Sequence, residues 1–205
     1  NHKDIGMYYL ILGYWAGLSG ASLSMIIRVE LSRPGGVLLS GYGQIYNTVL
    51  TMHGILMVFL TVMPVLIGGF GNWMYPLMSG APEMAFPRGN ASSFWFTFSA
   101  FFLVYLSFFS GEGSGSGWTL YPPLSSDGHP GVSTDLMILG LLTVGTGSLL
   151  GAINFMVTGQ NMRSTCVTLD QMSMFVWTLY LTSTLLLVSV PVLAGGLLFL
   201  LLDRN

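Results

Sequence analysis

The sequence predicts an all-α fold: a polytopic membrane helix bundle with about five transmembrane helices. Three observations predict it. Of 205 residues, six are Lys or Arg and eight are Asp or Glu, so 7% are charged, against roughly 25% in an ordinary soluble chain. Hydrophobic residues make up 52%, with 13 Phe, 9 Tyr and 5 Trp. A disordered chain has the opposite composition, and a soluble domain needs a charged exterior. The few charges also cluster, leaving five charge-free runs long enough for a bilayer, which takes about 20 apolar residues per helix.

The runs are residues 7–27, 45–70, 91–110, 136–158 and 171–202. Turn signals separate them. Residues 28–44 carry Arg33-Pro34-Gly35-Gly36, and residues 71–90 carry Gly80-Ala81-Pro82-Glu83 and Phe86-Pro87-Arg88. Residues 111–135 are glycine-rich and include Tyr121-Pro122-Pro123, and residues 159–170 form the last connection. Pro64 and Pro191 fall inside the second and fifth helices, where kinks are expected because proline lacks a donor and crowds the preceding turn. Gly13, Gly17 and Ala21 in the first helix, and Gly147 and Gly151 in the fourth, recur at four-residue spacing. Such stripes admit either a close helix or a flat ligand.

Charge and cysteine content exclude several functions. Net charge is −2 without a basic patch, so nucleic-acid binding has no electrostatic footing. The single Cys166 cannot form an internal disulfide. The glycine run at 111, 113, 115 and 117 lacks the strand–turn–helix setting of a nucleotide fingerprint. No Ser, His and Asp recur in a hydrolase pattern. With the N-terminus inside, Lys3, Arg88 and Arg163 flank one side and Arg28, Arg33 and Arg204 the other, so the positive-inside count is a tie.

Polar groups inside the runs are the candidate functional residues. His53 lies about three turns into the second helix, and ionisable residues in hydrocarbon are functional candidates by default. It shares a face with Tyr46, Leu50, Met57 and Leu60. A neutral imidazole on an apolar face suits a heme iron; a helix-to-helix hydrogen bond is the alternative. In the second loop, Glu83 stands with Asn72 and Asn90 around it. This is either ordinary loop polarity or the mouth of a hydrated proton path continued by Tyr9, Ser148 and Asn154. His2 and His129 sit in loops, away from metal-pair spacing.

Longer strings carry a resemblance. Asn1-His2-Lys3-Asp4-Ile5-Gly6, Gly68-Gly69-Phe70-Gly71-Asn72-Trp73 and Gly80-Ala81-Pro82-Glu83-Met84-Ala85-Phe86-Pro87-Arg88 occur in order. Gly117-Trp118-Thr119-Leu120-Tyr121-Pro122-Pro123-Leu124, Leu150-Gly151-Ala152-Ile153-Asn154-Phe155 and Asp203-Arg204-Asn205 follow. From end to end the chain resembles the subunit 1 family of cytochrome c oxidases, within the heme–copper oxidase superfamily.

The resemblance implies roles position by position. His53 matches the axial histidine of heme a. Arg28 matches a residue at the heme formyl group, Tyr46 one near a propionate, and Trp118 and Tyr121 outer residues near the propionates. Glu30 and Gly35 match a calcium or sodium site, with Arg33 between them where a neutral residue is usual. Glu83 stands where the family has Asp at a proton-path entrance, and Asn72, Asn90, Ser93, Tyr9, Ser148 and Asn154 match the residues that order its water. Gly147 replaces a serine common in animal members.

The family fold has about twelve helices, and heme a3, copper B and the second heme a ligand belong to a later part of it. The expectation is therefore the N-terminal part of a proton-pumping terminal oxidase, either a partial sequence or one portion of a split polypeptide. This part alone lacks catalytic residues for oxygen reduction. Expected partners are the remainder of subunit 1, the copper-carrying subunit 2, subunit 3, cytochrome c and membrane lipid. The expected location is the mitochondrial inner membrane, with a bacterial plasma membrane as the alternative. A quinol oxidase and a heme-free multi-pass transporter are the alternative functions.

Overall fold

The computed structural model describes residues 1–205. It is all-helical, and five helices are long and apolar enough to cross a membrane: α1 His2–Glu30, α2 Gly43–Ser79, α3 Pro87–Phe109, α4 Val132–Asn161 and α5 Met174–Arg204. Each charge-free run lies almost wholly within one of them. The helices extend past most of the runs into the flanking polar residues, because capping groups and not hydropathy set where they begin and stop. The Asn1 side chain accepts from the Asp4 amide at 3.0 Å and starts α1, satisfying one of the orphan donors of the first turn. Ser173 does the same for α5 through the Val176 amide at 3.4 Å. Pro87 occupies the first turn of α3, where a missing N–H costs nothing.

The largest departure from the sequence expectation is α2, which runs nine residues beyond residue 70. It stops only at Gly80, whose φ of 70° is the left-handed cap glycine supplies. Its middle is wound in wide π turns, Leu56–Val62 and Pro64–Gly71. These straddle the expected kink at Pro64, and Thr61 Oγ donates back to Leu56 O at 2.9 Å, covering a carbonyl on that wider turn.

The helices pack in sequence order. The most extensive contact is α1 along α2, followed by α3 on α4 and then α4 on α5; α1 also touches α3. The α1–α2 seam is built on small residues. A Cβ on Gly6 would stand 3.0 Å from Gly69 O, and Gly17 and Gly20 meet Thr61 and Met57. Gly13 meets Val65 in the same stripe. The face therefore runs through 6, 13, 17 and 20, and Ala21 is exposed. The glycines serve helix contact, with no gap left for a flat ligand. Gly147 likewise packs on Ser93 and Thr97 of α3.

Only 17% of the most apolar stretch of α5 is buried within the chain, and 39% of that of α4. Outward-facing Leu185, Val188 and Val192 are 70%, 70% and 75% exposed. Apolar surface on this scale belongs in lipid or against other protein. The buried interior, by contrast, holds Thr51, Asn72, Asn90, Ser93, Thr97, Asn154 and Thr158.

At the end holding the α1–α2 loop, Arg204 is the organising residue. Its side chain is 3% exposed and pairs with Asp135 at 2.6 Å. It also donates to the carbonyls of Ser125, Ser126, His129 and Gly131. One guanidinium thus ties the end of α5 to the glycine-rich loop and the start of α4. Arg28, by contrast, is exposed. Of the two arginines it is Arg204 whose charge is neutralised internally, so Arg204 is the one to leave out of a topology count.

Candidate functional site

Two groups of the expected residues come together, at opposite halves of α2. In the half nearer the α1–α2 loop, the His53 Nδ1 lies 2.9 Å from the carbonyl of Gly20 on α1. Gly20 makes that approach possible by having no side chain of its own. A carbonyl accepts only, so Nδ1 is the donor and Nε2 is left outside this bond. This is how a ligating imidazole is oriented. Helical rise puts Tyr46 about 10 Å and Arg28 about 12 Å toward the same end of the bundle. His53 and Tyr46 are half-buried and Arg28 is exposed.

The glycine-rich loop lies along this half of α2. Gly113 sits on Thr48, Gly115 on Gln44 and Asn47, and the Gly117 amide donates to Thr51 Oγ at 3.0 Å. Every second residue of this stretch meets α2, and a side chain at 113 or 115 would separate loop from helix. The register delivers Trp118 against Gly54, where a Cβ would stand 3.6 Å from the Trp118 Cβ. The indole therefore packs one residue from His53. Trp118 and Tyr121 remain 53% and 69% exposed.

Glu30, at the end of α1, shapes the first loop. Its Oε2 accepts from the amides of Val37, Leu38 and Leu39 at 3.0, 2.7 and 2.8 Å. A cradle of N–H groups binds anions, and here the anion is the chain's own carboxylate. A cation at Glu30 and Gly35 would have to use Oε1 and carbonyl oxygens, because Oε2 is engaged.

In the other half, Tyr9, Asn72, Ser93 and Ser148 line one cavity together with Thr97. Its volume is about 40 Å³, room for roughly three waters at 10–15 Å³ each. The Tyr9 hydroxyl bonds Ser93 Oγ at 3.0 Å. Asn72 Nδ2 donates to Gly68 O at 2.7 Å, while Asn72 Oδ1 and Asn90 Nδ2 are buried with no protein partner. An orphaned polar atom on a cavity wall, as at Asn72, is where buried water sits, while Asn90 lies outside the lining.

Asn154 is placed differently. Its Oδ1 accepts from the Phe86 amide at 2.9 Å and its Nδ2 donates to Phe86 O at 3.2 Å. With Thr158 Oγ accepting from Ala85 N at 3.0 Å, it pins the second loop to α4. Glu83, half-buried in that loop, lies outside the cavity lining.

Thr97 and Thr158 are absent from the sequence expectation. Asn90, Ser93 and Thr97 follow i, i+3, i+7, a polar stripe on one helix face, so Thr97 was legible in the spacing. Thr158 had no such signal, because its partner is a loop amide. Nowhere do residues 1–205 bring together three or more His, Cys, Asp or Glu side chains that could hold a metal ion.

The family model for Cytochrome C and Quinol oxidase polypeptide I matches residues 4–205. Cytochrome c oxidase subunit 1 of Pecten maximus is 53% identical over 207 residues, covering 100% of this chain and 43% of that protein. Cytochrome c oxidase subunit 1 of Candida albicans is 49% identical over 206 residues, covering 100% of this chain and 39% of that protein. The chain thus spans about two fifths of the length of these curated relatives, and it belongs to the Cytochrome C and Quinol oxidase polypeptide I family.

Proposed function

We propose that the chain is the N-terminal part of the catalytic subunit of a terminal respiratory oxidase. In this reading electrons pass from cytochrome c, through a copper-carrying subunit 2 and heme a, to a heme a3–copper B site that reduces oxygen to water. Protons are pumped in the process. The mitochondrial inner membrane is its location, in keeping with two eukaryotic relatives.

The observation that carries the reading is the His53–Gly20 contact. It fixes one imidazole nitrogen and leaves the other outside that bond, on a helix apolar enough to cross a membrane. His53 would hold the heme a iron axially, and the heme would supply one-electron transfer at a potential set by its ligands and surroundings. Arg28, Tyr46, Trp118 and Tyr121 share that end of the bundle and would bind the heme's polar substituents. Heme a3, copper B and the second heme a ligand are assigned to the remainder of subunit 1.

Toward the other end, Glu83 would collect protons. Asn72, Asn90, Tyr9, Ser93 and Ser148 would order the water that carries them, and Asn154 would hold the loop that presents Glu83. Leaving out Arg204, the positive-inside count becomes three to two in favour of the Glu83 end on the proton-uptake side.

The test is His53→Ala in the complete oxidase. Loss of the low-spin heme signal is expected, and its persistence overturns the ligand assignment. Cytochrome c is chosen over quinol as donor because both relatives bear the name cytochrome c oxidase. Oxidation of a quinol and not of reduced cytochrome c by the purified complex overturns that choice.

A further inference from the structure

Arg163 lies two residues beyond the end of α4, beside a pocket of about 290 Å³ that it lines with Gln160, Met172, Trp177 and Tyr180. A guanidinium has five N–H donors and is always charged. Here Nε is buried without a partner. The only bond the side chain makes is from Nη1 to the Met172 sulfur, at 3.6 Å. The chain's two ion pairs, Asn1 with Asp4 and Arg204 with Asp135, leave Arg163 without a carboxylate. A partly buried cation in this condition calls for an anion with several acceptor oxygens.

The surroundings state which anion. Gln160 Nε2 donates to the Tyr180 oxygen at 2.6 Å, which leaves the phenolic proton free to donate into the pocket. Trp177 Nε1 is satisfied by Leu169 O at 3.0 Å, so its ring forms an apolar wall with a polar tip. Trp and Tyr at helix ends mark the membrane–water interface. Below Trp177, Leu181, Leu185, Val188 and Val192 follow at i+4, i+8, i+11 and i+15, and they are 55–75% exposed. This single-faced apolar stripe extends about 22 Å along α5, more than the half-thickness of a hydrocarbon core of about 30 Å. The pocket is just below the roughly 300–1,000 Å³ of small-molecule sites, enough for a head group but not for a whole lipid.

We propose that this pocket binds the phosphate of a membrane phospholipid. Arg163 and the Tyr180 hydroxyl hold the phosphate oxygens, and the Leu181–Val192 stripe carries an acyl chain. This goes beyond the proposed oxidase function and does not depend on the heme assignment.

The assembled complex, stripped of lipid in detergent, is titrated with phosphatidylglycerol, and retained lipid is counted by native mass spectrometry. The wild type is expected to retain one phosphatidylglycerol that Arg163→Gln loses. Half-saturation should rise about tenfold or more, the loss of one charge-assisted contact of about 1.4 kcal/mol. Arg163→Lys, which keeps the charge, is expected to restore part of the retention. Equal retention in Arg163→Gln overturns the proposal, as it would if a carboxylate from a neighbouring polypeptide filled the pocket. Equally effective competition by inorganic phosphate overturns the lipid assignment. In the wild-type complex, phosphatidylglycerol with a photoreactive head group should label residues 160–180; absence of labelling there overturns the proposal even if the Gln variant fails to assemble.

Discussion

Replacing Arg204 by Leu tests whether one buried guanidinium organises the end of the bundle that holds the glycine-rich loop. The residue gives up an ion pair to Asp135 at 2.6 Å and its bonds to four loop carbonyls, from a side chain only 3% exposed. Removing one member of a buried pair strands the other, which costs about 3–5 kcal/mol. Asp135 is 22% exposed and can rehydrate when stranded, which holds Arg204→Leu to the low end of that range; Asp135→Asn leaves Arg204 its carbonyl acceptors and an amide oxygen, and should cost about the 1.5–3 kcal/mol of a bond to a charged group. The double variant should then cost little more than Arg204→Leu, because both changes remove the same pair. Arg204→Lys should recover only part, since an ammonium cannot reach carboxylate and carbonyls in a fork. The assay is denaturation in mixed micelles of increasing SDS fraction, followed by helical circular dichroism. A loss under about 1 kcal/mol for Arg204→Leu would refute the reasoning, because it would mean that water replaces every bond at no cost.

Gly68→Ala would set its new Cβ 2.5 Å from the Tyr9 ring, pushing the ring away at a cost of about 1–3 kcal/mol as overpacking. Gly151→Ala, with nothing within 4 Å of the new Cβ, should stay within about 0.5 kcal/mol; the same micelle titration compares them. Glu30→Ala should accelerate amide hydrogen exchange at Val37, Leu38 and Leu39, the three donors to its carboxylate. A calcium chelator should leave that exchange unchanged in the wild type. Glu83→Gln in the complete oxidase should slow proton uptake with heme spectra unaltered; unchanged turnover and pumping would remove Glu83 from the path.

The helices were legible because lipid imposes a strong compositional signal: no Asp, Glu, Lys or Arg falls in the five runs. Their ends were not, because Asn1, Gly80 and Ser173 act through single hydrogen bonds or one backbone angle that hydropathy averages away. His53 was legible as an anomaly, a titratable ring in an apolar run. Its orientation was not, since the fixing partner is the Gly20 carbonyl, thirty-three residues away and identical in chemistry to every other carbonyl. Arg204 shows the same limit from the other side. As a residue at the edge of an apolar run it looked like a flanking surface charge, and only the folding of the glycine-rich loop around it makes it a buried hub. The purpose of the loop's glycines appears only when the loop is laid on α2.

The placement of both functional halves on α2 has a physical consequence. His53 faces α1 in one half and Asn72 lines the cavity in the other, with the wide turns Leu56–Val62 and Pro64–Gly71 between them. A π turn accommodates an extra residue within an α-helix, and each residue advances the helix by about 100°. Wound as a regular α-helix over the same residues, this segment would carry Asn72 out of line with Tyr9 and Ser93. The wide turns therefore reconcile two demands on one helix: a histidine aimed at one neighbour and an amide aimed between two others. The α1 stripe of Gly6, Gly13, Gly17 and Gly20 supports the same arrangement, since a helix widened by π turns needs a partner without side chains along their shared face. The sequence of α1 thus answers the geometry of α2, and the glycines that carry no chemistry set where the chemistry points.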